Sequence, residues 1–309
     1  MEPKTRRKRP SESSAAALHS RGGIRVRWNV EQRLAFMEER LFWLRAVNRN
    51  DLMQRFGVSM SQASADIAQY LEMKPKGVEY DKSAKRYVAR DDFRPLLAEP
   101  DAAKILGQLR LMDMGLISEQ EIALDAAPPF AATPLPDRPV DPFVLRALLG
   151  AIREREAVSI RYQSMSRPEP ARRTIEPHAL AHDGFRWHVR AFDRDNGDFR
   201  DFVIGRISAP RIDGPAGSNP DSDENWNSFV AIEIAPHPKL TEAQARAIAM
   251  DYGIRGKSVA IPVRRSLLFY ALKRLGLDVP ADTRPPNEQQ IVLVNRKEID
   301  ALSKRQPAT

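Results

Sequence analysis

Six of the eighteen residues from Asp125 to Pro142, "DAAPPFAATPLPDRPVDP", are proline. Each proline removes a backbone donor and steers the residue before it away from helical dihedrals. Neither a helix nor a central strand crosses such a stretch, so the chain reads as separate bodies on its two sides. At 309 residues there is room for two or three of them.

Charge divides the chain as well. Residues 1–90 hold 19 Lys and Arg against 10 Asp and Glu, a net of +9, while the whole chain carries +8. The N-terminal part therefore supplies the entire excess, which points to a polyanion contact there. Residues 1–23, with "KTRRKRP", are expected to be a disordered basic tail. They contain no apolar core of a secretory signal, and no apolar run in the chain approaches the ~18 residues of a membrane span. The absence of cysteine excludes disulfides and thiolate chemistry. It suits a reducing cytoplasm, where a nucleoid-associated protein would reside.

From Trp28, apolar residues recur at helical spacing: Val30, Leu34, Met37, Leu41 and Leu44, with Glu31, Arg33, Glu38 and Arg40 off the stripe. A second helix fits "NDLMQRF", capped by Asn50 and closed by Gly57. A third fits "VSMSQASADIAQYLEM". Ser59 caps it, Ala63, Ile67, Tyr70 and Leu71 face inward, and Ser61, Gln62, Ser64, Ala65 and Gln69 face outward. Two short helices about a glycine turn form a helix-turn-helix. "GVEYDKSAKRYVAR" then reads as a wing, with Val78 and Tyr80 alternating against Glu79 and with Lys82, Lys85 and Arg86 around its tip. The expectation is a winged helix over 24–95, its third helix in the major groove and its wing cations on phosphate. Ser59, Ser61, Gln62, Ser64 and Gln69 are the candidate contacts on the helix, glutamine being suited to adenine.

Residues 96–139 read as a linker, helical through "AAKILGQLRLMDMGLI" and then proline-rich. Beyond it come an amphipathic helix, "FVLRALLGAIREREAV", and a strand, "VSIRYQS", with Val158, Ile160, Tyr162 and Ser164 on one face. In "GFRWHVRAF", Phe185, Trp187, Val189 and Ala191 share the expected core face, and Arg186, His188 and Arg190 share the other. In "FRDFVIGRI", Arg200, Phe202, Ile204 and Arg206 share a face. On a straight strand Arg200 and Arg206 stand roughly 20 Å apart, so a common pocket requires a sharp bend, for which Gly205 offers a site. Such arginines either hold an anion, phosphate foremost, or decorate a solvated face.

The segments "VSIRYQSMS" and "RRTIEPHALAHDGFRWHVRAFDRDNGDFRDFVIGRI" resemble a WYL domain, the Sm-like small β-barrel of bacterial transcription regulators. The shared features are a Tyr-x-Ser strand end, a Pro-His-x-Leu segment, an aromatic strand and an Arg-x-Phe…Arg-Ile strand. With a winged helix before it and an α/β region after it, the chain is similar to the WYL repressors that control bacterial anti-phage defence loci. The resemblance implies a multidomain α+β protein: a winged helix-turn-helix, a WYL sensor over 140–212 and a small α/β dimerisation domain over 225–309. It further implies a homodimer on an inverted repeat of double-stranded DNA, released by an anionic effector, a nucleotide or an oligonucleotide. The matching ligand positions are Tyr162, Ser164, His178, His188, Arg190, Arg200, Phe202 and Arg206. One departure is visible: in Trp187-His188-Val189, histidine stands where the family has tyrosine.

The C-terminal region alternates "SFVAIEIAP", "TEAQARAIAMDYGI" (capped near Thr241), "KSVAIPVR", "SLLFYALKRLGL" and "EQQIVLVNR", a small α/β module without a chemical motif. No Gly-x-Ser-x-Gly, Walker or Rossmann pattern occurs, so no catalytic residues, cofactor or enzymatic activity are expected. His178, His182, His188 and Asp183 do not make a zinc set, because Pro177 and Gly184 argue for a loop there. The rival reading is an RNA- or single-strand-binding module that uses the barrel as its main surface.

Overall fold

The computed structural model describes residues 28–303 apart from 98, 120, 121, 123, 125, 126 and 135, and the expected basic tail lies outside them. The chain divides within the proline-rich segment into two compact units, Met1–Pro134 and Leu135–Thr309.

In the first unit, α1 (Trp28–Leu44) is followed by a two-residue strand β1 (Ala46–Val47), α2 (Arg49–Phe56) and α3 (Met60–Glu72). A hairpin of β2 (Val78–Asp81) and β3 (Arg86–Ala89) pairs with β1 in an antiparallel sheet ordered β1-β3-β2. Leu34, Met37 and Leu41 of α1 meet Leu52, Ala63, Ile67 and Tyr70 in a single core, which is a winged helix. Helix α4 (Ala102–Asp113), capped by Asp101, is tied back to α1 by the Lys104–Glu39 ion pair.

Two sequence expectations change here. The cap of α2 is Asn48 rather than Asn50: its side chain accepts from the N–H groups of Asn50 and Asp51, while Asp51 accepts from the Asn48 N–H. This reciprocal box leaves Asn50 inside the first turn. Arg33, Glu38 and Arg40, expected off the apolar stripe, are buried, because α1 is enclosed on more than one side. Each has a partner, which makes the burial affordable. Arg33 grips Asp66 at 2.6 and 3.1 Å, Arg40 lies 3.3 Å from Asp51, and Glu38 accepts from the Tyr70 hydroxyl at 2.9 Å and the Leu97 N–H at 2.8 Å.

The second unit begins with α5 (Pro142–Glu154), with Asp141 as cap and Pro142 at its first position. It packs on a five-stranded antiparallel sheet of β4 (Glu156–Tyr162), β5 (Ala171–His182), β6 (Trp187–Asp193), β7 (Asp198–Val203) and β8 (Ile207–Pro215), ordered β7-β6-β5-β4-β8. Val144, Leu148 and Ala151 of α5 close the core over Val158, Ile160, Ile175, Val189, Ala191, Phe202 and Ile204. The closed barrel expected for this region is not formed: β7 pairs with β6 alone and β8 with β4 alone, so the sheet keeps two edges. His178 and His182, expected in a loop, lie on β5, which accommodates Pro177 at a register shift between Pro177 and Ala179. Ser164 falls past the end of β4.

Phe185 and Trp187, expected in the core, are 52% and 50% exposed. Asp183 accepts from the N–H groups of Phe185 and Arg186, which turns the chain and holds both rings at the end of the sheet. Conversely, His188 and Arg190 are only 1% and 4% exposed. The sheet face they occupy is covered by the segment that leads to α6 (Glu224–Asn227) and by Tyr270.

The unit ends with β9 (Phe229–Pro236), α7 (Glu242–Asp251), β10 (Val259–Arg264), α8 (Leu268–Arg274), β11 (Ile291–Leu293) and α9 (Arg296–Ser303). The strands form an antiparallel sheet ordered β10-β9-β11. Thr241 caps α7 in a box with Gln244. The sequence reading did not include α9, an eight-residue helix that buries Ile299. No helix among the described residues is long and apolar enough to cross a membrane.

Candidate nucleic-acid interface and anion site

The outward face of α3 is polar and locally organised. Ser59 Oγ accepts from the Gln62 N–H at 3.2 Å and shares a 2.9 Å hydrogen bond with Ser61 Oγ. Ser64 Oγ donates to the Met60 carbonyl at 2.9 Å, and Arg49 approaches it at 3.5 Å. Gln62 Nε2 donates to Asp66 Oδ1 at 2.9 Å, so the buried Arg33–Asp66 pair holds this side chain in place. The amide oxygen of Gln62 is left as an acceptor. A bidentate adenine contact uses the amide oxygen and one N–H, and the second N–H of Nε2 can keep the bond to Asp66. Gln69 is half-buried toward the far end of the helix. The sequence reading missed Arg49 and Met60, both exposed beside this face. Arg49 directly follows the true cap, Asn48, so moving the cap two residues back would have exposed it to view.

At the wing, Asp81 Oδ1 accepts from Ser83 Oγ and from the N–H groups of Ser83 and Ala84, at 2.6, 2.8 and 3.1 Å. The Ser83 hydroxyl, with those amides, holds the Asp81 carboxyl below the usual range. The turn therefore carries its own fixed shape. Lys82, Lys85 and Arg86 are all exposed around it, and none forms an ion pair with a described residue. At the base of the same hairpin, Arg90 is neutralised by Glu79 at 2.6 Å. Tyr80 is exposed and packs on Tyr87 at 4.9 Å, across the ladder.

In the second unit most of the expected ligand side chains are engaged by the chain itself. Asp223, the cap of α6, accepts from Arg190 Nε and Nη2 at 2.7 and 2.9 Å, from His178 Nε2 at 3.0 Å and from the Trp226 N–H at 3.0 Å. Burial pushes the Asp223 carboxyl up, but the bonds from His178 and Arg190 outweigh it and hold the group ionised well below the usual range. Arg190 also reaches Asp201 at 3.4 Å, whose carboxyl burial pushes up against the pull of Arg190. His188 Nε2 lies 3.0 Å from Asp183 Oδ2, and its ring packs 5.0 Å from Tyr270. Burial raises Asp183 too, yet the bond from His188 and two backbone amides bring it down to about 2. Tyr162 and Phe202 belong to the core, edge to face at 5.0 Å, and the Tyr162 hydroxyl accepts from the Val203 N–H.

Arg200 and Arg206 differ from these. Arg200 sits opposite Ala191 on β7, half-buried, and its Nε is buried without a hydrogen-bond partner. Neither arginine forms an ion pair with a described residue. Between them the chain leaves β7 through a 3-10 turn, Ile204–Arg206, so the two do not stand on one straight strand. Gly205 lies in that turn, where a Cβ would press on the Pro139 carbonyl at 3.1 Å. Ser164, hydrogen-bonded to Ser166 at 3.2 Å, lies in the loop beyond Gln163, whose N–H donates to the Arg206 carbonyl.

A winged helix joined to an antiparallel sheet with unneutralised arginines and to an α/β module defines a modular DNA-binding regulator. Residues 29–111 match the BrxR transcriptional regulator winged helix-turn-helix domain, 144–212 the WYL domain, and 229–299 the BrxR C-terminal dimerization domain. The DNA-binding transcriptional repressor CapW of Stenotrophomonas maltophilia is 35% identical over 283 residues, 91% of this chain and 95% of that protein. Its namesake in Escherichia coli (strain KTE188) is 36% identical over 282 residues, 91% and 94% of the two chains. That of Pseudomonas aeruginosa is 35% identical over 283 residues, 92% and 95%. The chain belongs to the CapW family of DNA-binding transcriptional repressors. These relatives are regulators rather than enzymes, as the lack of a catalytic motif led us to expect.

Proposed function

We propose that this protein is a DNA-binding transcriptional repressor that acts as a homodimer on an inverted repeat. Two copies of α3 related by a two-fold axis read two half-sites about one helical turn apart or a multiple of it. In this reading Ser59, Ser61, Gln62, Ser64 and Gln69 meet bases or their flanking backbone, while Lys82, Lys85 and Arg86 hold phosphate. One observation carries it: Lys82, Lys85 and Arg86 are exposed and form no ion pair with a described residue, and the outward face of α3 offers small and polar side chains. An anionic effector, a nucleotide or an oligonucleotide, binds at Arg200 and Arg206 and lowers the affinity for DNA, a coupling between two distinct sites. The controlled locus is an anti-phage defence operon, a step that rests on the family resemblance.

Competition gel shifts with the full chain test this. Duplex from upstream of its own gene, carrying the inverted repeat, should be preferred over random duplex by ~10³-fold or more. Single-stranded DNA or RNA that competes as well as the repeat would favour instead a binding module centred on the β4–β8 sheet.

A further inference from the structure

The face of the five-stranded sheet that looks away from α5 is covered on β6, where Arg190 lies against the cap of α6, and open on β5, β4 and β8. Val158 and Ile160 of β4 turn toward α5, so Ser159 and Arg161 turn away from it. On β5, Thr174 stands opposite Ser159 and Arg172 opposite Arg161. On β8, Arg211 stands opposite Ser159 and Ser208 opposite Arg161. Arg161, Arg172, Ser208 and Arg211 are all exposed. Ser208 and Arg211 are three residues apart, a spacing that on a regular strand sends side chains to opposite faces. A register shift between them, with Ala209 at φ 48°, brings both to the open face. Left-handed backbone is unfavourable for alanine and persists only where the surroundings impose it. Its effect here is to set Arg211 beside Arg161.

Ser159 is thereby ringed by three guanidinium groups. Arg172 Nη1 donates to Ser159 Oγ at 3.1 Å, Arg211 faces Ser159 across the ladder, and Arg161 follows two residues along the strand. Neighbours lie about 5 Å apart across a ladder and about 7 Å along a strand, so the three can meet over one point. None of them forms an ion pair with a described residue, and Asp213, the carboxylate that reaches this face, accepts from Thr174 Oγ1 at 3.0 Å. Arg161 and Arg172 are like charges directly opposite, a pairing that destabilises a sheet until an anion lies between them. The Ser159 hydroxyl accepts from Arg172 and keeps its own proton to donate. We propose that Ser159, Arg161, Arg172 and Arg211 form an oligophosphate site, which takes a contiguous di- or triphosphate chain. Guanidinium groups that converge on one hydroxyl suit closely packed phosphate charge, whereas a nucleic-acid backbone spreads its charge along a line. The site is separate from Arg200, which stands in register with the core residue Ala191 and so belongs to the other face.

Calorimetry on the full chain tests the site in an Arg200→Ala, Arg206→Ala background, with inorganic triphosphate as probe. Triphosphate should still bind, and Arg161→Gln or Arg211→Gln should each weaken it by about tenfold or more, the worth of one charge-assisted hydrogen bond. Unfolding temperature should not fall in either variant, since both side chains are exposed. ATP that binds as tightly as inorganic triphosphate supports a site for the phosphate chain alone, and ATP that binds more tightly supports a nucleotide as its source. Because the chain has no cysteine, Ser208→Cys carries a single thiol opposite Arg161. Triphosphate should slow its reaction with maleimide, a local readout that does not depend on the arginine variants. Unchanged affinity in both arginine variants, or a thiol at 208 that triphosphate leaves equally reactive, would overturn the site. Protection by single-stranded DNA and not by triphosphate would overturn it too, in favour of a surface for nucleic-acid backbone.

Discussion

On the wing, Lys82 and Lys85 stand in solvent with no ion-pair partner among the described residues and exposed Arg86 has only Asp81 opposite it across the ladder, whereas on β6 Arg190 and His188 are buried against Asp223, Asp201 and Asp183. The two regions look alike in a count of cations. They differ in what lies opposite. A cation already gripped by a buried carboxylate stabilises the fold and has little left for a partner, while an unneutralised one retains its whole field for phosphate. Arg200 and Arg206 belong with the wing by this criterion, although Arg200 sits on the same sheet as Arg190 and Arg206 in the turn that follows it.

The largest effect that separates the two regions is in stability. Arg190→Ala should cost about 3–5 kcal/mol, because Asp223 and Asp201 would be left buried without their counter-charge. Lys85→Ala should stay within about 0.5 kcal/mol of wild type. Thermal or urea unfolding reads both, and equal costs would dissolve the distinction.

Next in size is the effector response. Arg200→Ala or Arg206→Ala should leave unfolding and operator binding near wild type. Each should weaken binding of a 5′-mononucleotide, measured by calorimetry, by about 10- to 150-fold, the worth of one charge-assisted hydrogen bond. Should both variants simply fail to bind operator, these arginines serve the DNA surface or the scaffold instead. On the wing, neutralising any one of the three tip cations should weaken specific and random duplex alike and flatten the plot of log K against log salt by about 0.9. An unchanged slope would mean that the hairpin points away from DNA.

The smallest expected effect is in acid. Asp183 titrates at about 2 in the folded protein against an ordinary 3.8, so its contribution is complete above about pH 4 and disappears as pH falls toward 2. Asp183→Asn should destabilise at neutral pH and flatten that part of the pH–stability curve. A curve parallel to wild type between pH 4 and 2 would show that the His188–Asp183 contact does not persist in solution.

Much of this architecture was legible because its signals are local. Ser59 and Gly57 mark the ends of helices through their own backbone needs, and the apolar spacing of α1 places Leu34, Met37 and Leu41 in the core. The errors arose where the deciding partner is remote in sequence. Nothing near Arg190 reveals that Asp223, 33 residues on, turns it inward. Nothing near Arg33 reveals Asp66, also 33 residues away. Strand periodicity put Trp187 in the core by parity, but the turn held by Asp183 ends the sheet there. Alternation distinguishes two faces and cannot say that both are covered, which is the situation on β6.

The account stands or falls on α3. Gel shifts with wild type and with a Ser61→Ala, Gln62→Ala, Ser64→Ala variant, each titrated against inverted-repeat duplex and random duplex, measure its role directly. The expected result is a wild-type preference of ~10³-fold or more that collapses in the variant toward the shared non-specific affinity, with its thermal unfolding unchanged. A variant that keeps the full preference would contradict the assignment of α3 as the reading helix.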